Sequence, residues 1–133
     1  MRRVQFSVGV LTLLAFVVTG QLMRHHNPPM ASLSVSTRLL YRSRHIYILA
    51  SGLVNLMLGM YMRRRPARWR AVVQWFGSVP VLVSPALRTV AFTVEPTRGF
   101  QADMPWSAAG LYALFGGCMV HFVGAARSTE GKP

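Results

Sequence analysis

The first apolar stretch of the chain, residues 4–23, decides the class of fold. It reads VQFSVGVLTLLAFVVTGQLM and contains no charged residue. Because a helix rises about 1.5 Å per residue, a stretch of this length just crosses a hydrocarbon core of about 30 Å. Arg2 and Arg3 could also open a secretory signal peptide, but the apolar run is longer than usual for one and lacks a clear Ala-x-Ala cleavage site. A transmembrane helix is therefore predicted.

Three further apolar runs follow and predict spans at residues 45–62, 71–94 and 106–126. The second run stops where charge and proline coincide, at Arg63-Arg64-Arg65-Pro66. Pro80 and Pro85 interrupt the third run, and Pro105 stands at the first turn of the fourth, where a helix tolerates proline. The predicted fold is all-α: one domain over residues 1–133, built as an antiparallel bundle of four transmembrane helices in an integral membrane protein.

The segment between the first two spans, residues 24–44, is predicted to be a loop outside the hydrocarbon. It opens with Arg24-His25-His26-Asn27-Pro28-Pro29, which cannot continue a helix. Arg38, Arg42 and His45 then stand at positions i, i+4 and i+7, so a helix here would carry a basic stripe into the second span. An interfacial helix is one expectation for this loop.

The distribution of Lys and Arg predicts the orientation of the chain in the membrane. Two precede the first span, five lie in the second loop and two in the C-terminal tail, nine in all. The first and third loops hold five, four of them in the first loop. Since basic residues collect on the cytoplasmic side, both termini are predicted to be cytoplasmic, in the inner membrane of a bacterium.

The net charge of +12 predicts lipid rather than nucleic acid as the charged partner. Fifteen residues are Lys or Arg and three are Asp or Glu, among 133 residues that are 52% hydrophobic. The arginines form short runs beside apolar segments instead of lining one amphipathic face. Anionic lipid headgroups are therefore the predicted counter-charge, and nucleic-acid binding is not expected.

Four histidines raise the question of a haem or metal centre. A helix places His45 near the outer end of the second span and His121 about 22 Å deeper along the fourth, so they cannot share one iron. His25, His26 and His45 could gather around copper or zinc, but neighbouring arginines such as Arg42 would repel a cation. No metal site is predicted, and a cofactor is not expected. The single cysteine excludes an intramolecular disulfide.

Small residues recur every seven positions on two of the predicted helices. The predicted packing residues are Gly52 and Gly59 on the second helix and Gly110, Gly117 and Gly124 on the fourth. His121 lies on the glycine face of the fourth helix, and Asn55 lies between the two glycines of the second. We expect these two helices to pack along their glycines, with a hydrogen bond between His121 and Asn55 that fixes the packing. A proton relay or a ligand site at His121 is the alternative.

Arg88 lies near the outer end of the third span. It is expected to extend toward the interface, to pair with Glu95 or Asp103, or to bind an anionic headgroup or substrate. The residues with a predicted functional or structural polar role are Arg38, Arg42, His45, Asn55, Arg88 and His121.

The chain contains no nucleophile motif, phosphate-binding loop, dinucleotide fingerprint, HExxH motif or paired carboxylates. No catalytic residue is therefore predicted, and a non-enzymatic function is favoured. The leading hypothesis is an accessory protein that binds lipid, a membrane-protein partner or a second copy of itself. The alternative is a small transporter or a haem- or quinone-associated redox component that uses Arg42, His45, Arg88 and His121.

Overall fold

The computed structural model describes residues 1–62, 68–98 and 103–126, without the side chains of residues 68, 70 and 124–126. Within these ranges the chain forms four α helices and one short 3-10 helix. The α helices are α1 (Arg2–Arg24), α2 (Val35–Tyr61), α3 (Arg68–Arg98) and α4 (Pro105–Ala126), and the 3-10 helix is Met30–Ser32. The prediction of an all-α fold with four helices is confirmed.

Helix α2 begins inside the predicted outer loop. The Ser34 side chain accepts the backbone N–H of Thr37 at 3.2 Å and caps the helix. No proline follows before Tyr61, so the expected interfacial helix and the second span form one continuous helix.

Helix α3 continues through Pro80, Pro85 and Pro96. Proline lacks an N–H, so Pro85 leaves the carbonyl of Val81 without its partner within the helix. The Asn55 side chain of α2 donates Nδ2 to that carbonyl at 3.0 Å. A neighbouring helix thus satisfies the backbone group that this proline frees.

Three helices are long and apolar enough to cross a membrane: α1, most of α3 and most of α4. Helix α2 is not among them although it is 27 residues long. Its first half carries Arg38, Arg42, Arg44 and His45, which leaves residues 46–61 as the apolar part. That part is shorter than the roughly 17–25 residues typical of a span.

The helices pack as two close pairs, α1 with α2 and α3 with α4, which meet through α2 and α3. Helices α2 and α4 hardly touch, so the expected packing between their glycines does not occur. A Cβ on Gly59 would lie 2.6 Å from Phe6 N of α1, and a Cβ on Gly117 would lie 2.6 Å from Gly77 O of α3. Gly52 likewise faces α1 and Gly110 faces α3, whereas the surroundings of Gly124 lie outside the described residues.

The bundle has a polar interior and an apolar exterior. In the part of the chain described, ten polar or charged residues are buried, against seven hydrophobic ones, while thirty large hydrophobic residues are exposed. The small apolar core centres on Tyr41, Ile48 and Phe92. This distribution is the reverse of that in a soluble helical protein.

Candidate functional site

A buried ion pair joins α2, α3 and the start of α4. Arg44 Nε lies 2.9 Å from Glu95 Oε2, and both side chains are at most 5% exposed. The backbone N–H of Ser107 donates to Glu95 Oε1 at 2.8 Å, and the Ser107 hydroxyl donates to Oε2. Ser107 is the third residue of α4, so the carboxylate satisfies an N–H that the first helical turn leaves free. Glu95 thereby ties three helices together.

The expected pairing of Arg88 with Glu95 or Asp103 is wrong. Glu95 pairs with Arg44, and Asp103 is exposed. Arg88 and Glu95 stand seven residues apart on α3, about 10.5 Å by helical rise. Arg44 instead reaches Glu95 from the adjacent helix. Glu95 was expected beyond the third span, but α3 extends past it and the side chain is buried.

Arg88 is buried without a charged partner. Its side chain is 1% exposed, and its guanidinium carbon lies 4.6 Å from the centre of the Tyr47 ring. Nε has no hydrogen-bond partner among the described residues. A Cβ on Gly110 would lie 3.1 Å from Nε, so the arginine packs closely on α4. Arg88 therefore does not extend into the surroundings as expected.

His45 faces α1. Its Nδ1 lies 3.0 Å from Thr19 Oγ1, and its ring stacks on Phe16 with the ring centres 4.0 Å apart. Of the predicted basic stripe, Arg42 is exposed and Arg38 is half-buried. The three side chains therefore do not form one basic surface, because His45 is held between helices.

His121 and Asn55 bond to different groups on α3. His121 Nε2 lies 3.2 Å from Ser78 Oγ, while Asn55 donates to the carbonyls of Val81 and Ser51. The expected bond between His121 and Asn55 is not formed. Gln5 of α1 donates to Ser78 O at 3.3 Å. The side-chain oxygens of Gln5 and Asn55 are buried, and neither has a hydrogen-bond partner among the described residues.

His45 and His121 lie in separate parts of the fold. His45 contacts Thr19 of α1. His121 contacts Ser78, which also bonds to Gln5 of α1. Gln5 and Thr19 are about 21 Å apart along that helix. In the ranges described, no three His, Cys, Asp or Glu side chains gather as metal ligands would.

A groove of about 510 Å³ opens where α1 begins and α2 ends. Its lining combines two cations with apolar and small residues: Arg2, Arg3, Phe6, Ser7, Gly59 and Met60. Arg2 Nε donates to Gly59 O at 3.0 Å and holds the two helix ends together. From the sequence, these arginines were interpreted as topology signals or as the start of a signal peptide. The packing of the start of α1 against the end of α2 brings them into the groove.

Comparison with protein-family models, with curated proteins and with solved structures finds no match to the chain. The function is therefore inferred from the contacts described above.

Proposed function

We propose that this chain is an integral membrane protein, an antiparallel bundle of four spanning helices. The order of contacts supports the antiparallel arrangement. Phe6, early in α1, lies against Gly59, late in α2, whereas Thr19 lies against His45. The same reversal relates α2 to α3 and α3 to α4.

The distribution of polar groups supports the membrane environment. Thirty large hydrophobic side chains are exposed in the described part of the chain, and lipid tails would solvate them as they do the outer face of other membrane bundles. Charged residues inside a bilayer face the interior of the bundle, as Arg44, Arg88 and Glu95 do.

Helix α2 is the fourth span in this proposal. Basic residues in the first half of α2 lower its hydropathy. The arginine closest to its apolar part is Arg44. Since Arg44 is paired with Glu95 and buried, its charge does not face lipid. Helix α2 also packs against both α1 and α3, which shield it.

We place the protein in a bacterial inner membrane with both termini in the cytoplasm. The excess of Lys and Arg before the first span, in the second loop and in the tail supports this orientation. The groove at Arg2 and Arg3 then lies at the cytoplasmic leaflet, where anionic lipids create a negative surface potential.

Its function in this proposal is to bind an anionic phospholipid without chemical turnover, as an accessory protein to a membrane partner or to other copies of itself. The groove is the observation that carries it. Arg2 and Arg3 offer positive charge for the phosphate, reinforced by the N-terminus of α1, while Phe6 and Met60 offer apolar surface for an acyl chain. The volume of the groove is within the range of roughly 300–1,000 Å³ typical of ligand sites.

Native mass spectrometry of the protein in nanodiscs tests the lipid site. Wild type is expected to retain phosphatidylglycerol in preference to phosphatidylcholine. Each arginine near an anionic surface contributes about 1 kcal/mol, so the double variant Arg2→Gln/Arg3→Gln should bind about 30-fold more weakly.

The matched control is Arg24→Gln/Arg42→Gln, which removes the same charge from exposed positions at the other end of the helices. Alkaline extraction of membranes separately reports whether each variant is still inserted. Equal lipid retention by both inserted double variants would contradict the proposed function.

A small transporter is the second candidate, because polar residues are buried at several levels of the bundle. The unpaired oxygens of Gln5 and Asn55 favour it most directly, since they could accept hydrogen bonds from a permeating group. Proton flux into proteoliposomes that Asn55→Leu abolishes would support this candidate over lipid binding alone. An absorbance band near the Soret region that shifts with dithionite would instead support the redox alternative.

A further inference from the structure

Arg88 brings a positive charge into the interior that forms no salt bridge with any carboxylate in the described part of the chain. The buried charged side chains there are Arg44, Arg88 and Glu95. Glu95 is engaged by Arg44 and by Ser107, which together bond to both of its oxygens. One guanidinium therefore remains without a carboxylate. A buried charge of this kind is strongly unfavourable unless a counter-charge approaches it.

The Tyr47 ring covers this guanidinium. The guanidinium carbon lies 4.6 Å from the ring centre, within the range of a cation–π contact. Tyr47 is 42% exposed while Arg88 is 1% exposed, so the ring is the outer of the two groups. A ligand that approaches the guanidinium from this side must displace the Tyr47 ring.

Arg88 is buried a short distance along the bundle from the start of α4. It packs beside Gly110, five residues after the start of α4 at Pro105. Five residues of helix correspond to about 7.5 Å. A lipid headgroup or a dissolved anion that enters beside the start of α4 would travel about this distance, while α3 itself continues to Arg98, ten residues beyond Arg88.

We propose that Arg88 is the base of an anion-binding site that Tyr47 covers, and that its ligand is a singly charged phosphate or carboxylate group. The planar guanidinium matches the two oxygens of either group. The net charge of the three buried residues is +1, which one negative charge would balance. This site lies at the opposite end of the bundle from the groove at Arg2 and Arg3 and is independent of it. It depends on the proposed membrane embedding only for access by lipid.

Binding to nanodiscs of zwitterionic lipid tests the proposal with the full chain. Inorganic phosphate and acetate are titrated against thermal unfolding, and a parallel sample carries phosphatidylglycerol in the bilayer without added anion. Stabilisation by the free anions identifies a dissolved ligand, and stabilisation by phosphatidylglycerol alone identifies a headgroup. Either result supports the site only if Arg88→Gln weakens the stabilisation by the anion. We expect the affinity for the anion to fall about tenfold in this variant.

Two substitutions separate a binding site from a purely structural contact. Tyr47→Ala removes the ring that competes with the ligand and should tighten anion binding, whereas Tyr47→Phe keeps the ring and should leave it unchanged. A structural cation–π contact predicts no gain in anion affinity for Tyr47→Ala.

Further variants control for misfolding and for lipid binding in the groove at Arg2 and Arg3. Arg88→Lys keeps the charge but loses the planar fork, so it should fold and bind with intermediate affinity. Arg42→Gln, an exposed arginine of α2, should bind like wild type. In an Arg2→Gln/Arg3→Gln background, the stabilisation that depends on Arg88 should persist. The experiment can therefore contradict the Arg88 site and the lipid groove independently. The proposal is overturned if no anion stabilises the wild type, or if Arg88→Gln responds as the wild type does.

Discussion

At the residue scale, the pair of Arg44 and Glu95 is the strongest polar link between helices. Glu95→Gln would leave the buried Arg44 guanidinium without its counter-charge beside a second buried cation, Arg88. Removal of one partner of a buried pair typically lowers the free energy of unfolding by about 3–5 kcal/mol. Denaturation of the protein in mixed micelles, followed by circular dichroism, measures this loss.

Asp103→Asn is the control for that prediction, because it makes the same change in charge at an exposed position. It should leave the free energy of unfolding almost unchanged. The double variant Arg44→Met/Glu95→Gln should recover part of the stability, since no unpaired charge then remains at the pair. If Glu95→Gln and Asp103→Asn change the free energy of unfolding equally, the ion pair contributes no specific stability.

Pairing of individual residues was the part least accessible from sequence. Asn55 and His121 were expected to bond to each other, yet each bonds to α3. Depth follows from counting residues, whereas the partner depends on how each helix is rotated and offset. An offset of one turn is about 5.4 Å, which is longer than a hydrogen bond and therefore enough to change the partner of a side chain.

At the element scale, the hydrogen bond from Asn55 to the Val81 carbonyl explains how α3 tolerates Pro85 in its middle. Pro85→Ala restores an N–H that can bond to the Val81 carbonyl within the helix, so Asn55 is no longer needed there. Asn55→Ala should therefore destabilise the wild type more than it destabilises the Pro85→Ala variant. The expected coupling in a double-mutant cycle of unfolding free energies is about 0.6–1.7 kcal/mol. A coupling of zero would contradict the role given to Asn55.

Two adjacent glycines of α4 provide a matched test of helix packing. A Cβ on Gly117 would lie 2.5 Å from Val81 Cγ2, whereas a Cβ on Gly116 would meet nothing within 4 Å. Gly117→Ala should push α3 and α4 apart and lower the free energy of unfolding by about 1–3 kcal/mol. Gly116→Ala should leave it unchanged or raise it by up to about 1 kcal/mol, because alanine favours helix. Similar stability of both variants would contradict the described contact.

The number and approximate position of the helices followed from the apolar runs, but their neighbours did not. Glycine periodicity identifies a face of a helix without identifying what packs on it. Gly52 and Gly59 meet α1, where Gly9 allows close approach, and Gly117 meets Gly77 of α3. A helix that leads from the first loop into the second span was one expectation, but the span itself was predicted to begin at residue 45, whereas α2 begins at Val35 after its cap, Ser34.

At the scale of the whole molecule, the polar interior is what connects fold to function. Composition and apolar runs predicted the membrane class, and the exposed apolar surface supports it. The groove at Arg2 and Arg3 was not predicted. Binding of an anionic group was one expectation for Arg88, but its burial under Tyr47 was not. Each site is formed by side chains from different helices that only tertiary packing brings together.

The central claim, a bundle that crosses the membrane four times, is tested most directly by cysteine accessibility. In a Cys118→Ser background, single cysteines at Ser32, Asp103 and Ser128 are treated in intact cells with a maleimide that cannot cross membranes. Four spans predict labelling of Ser32→Cys and Asp103→Cys, with Ser128→Cys labelled only after permeabilisation. If α2 does not cross, Ser32→Cys and Asp103→Cys will lie on opposite sides, and that result would contradict the four-span bundle.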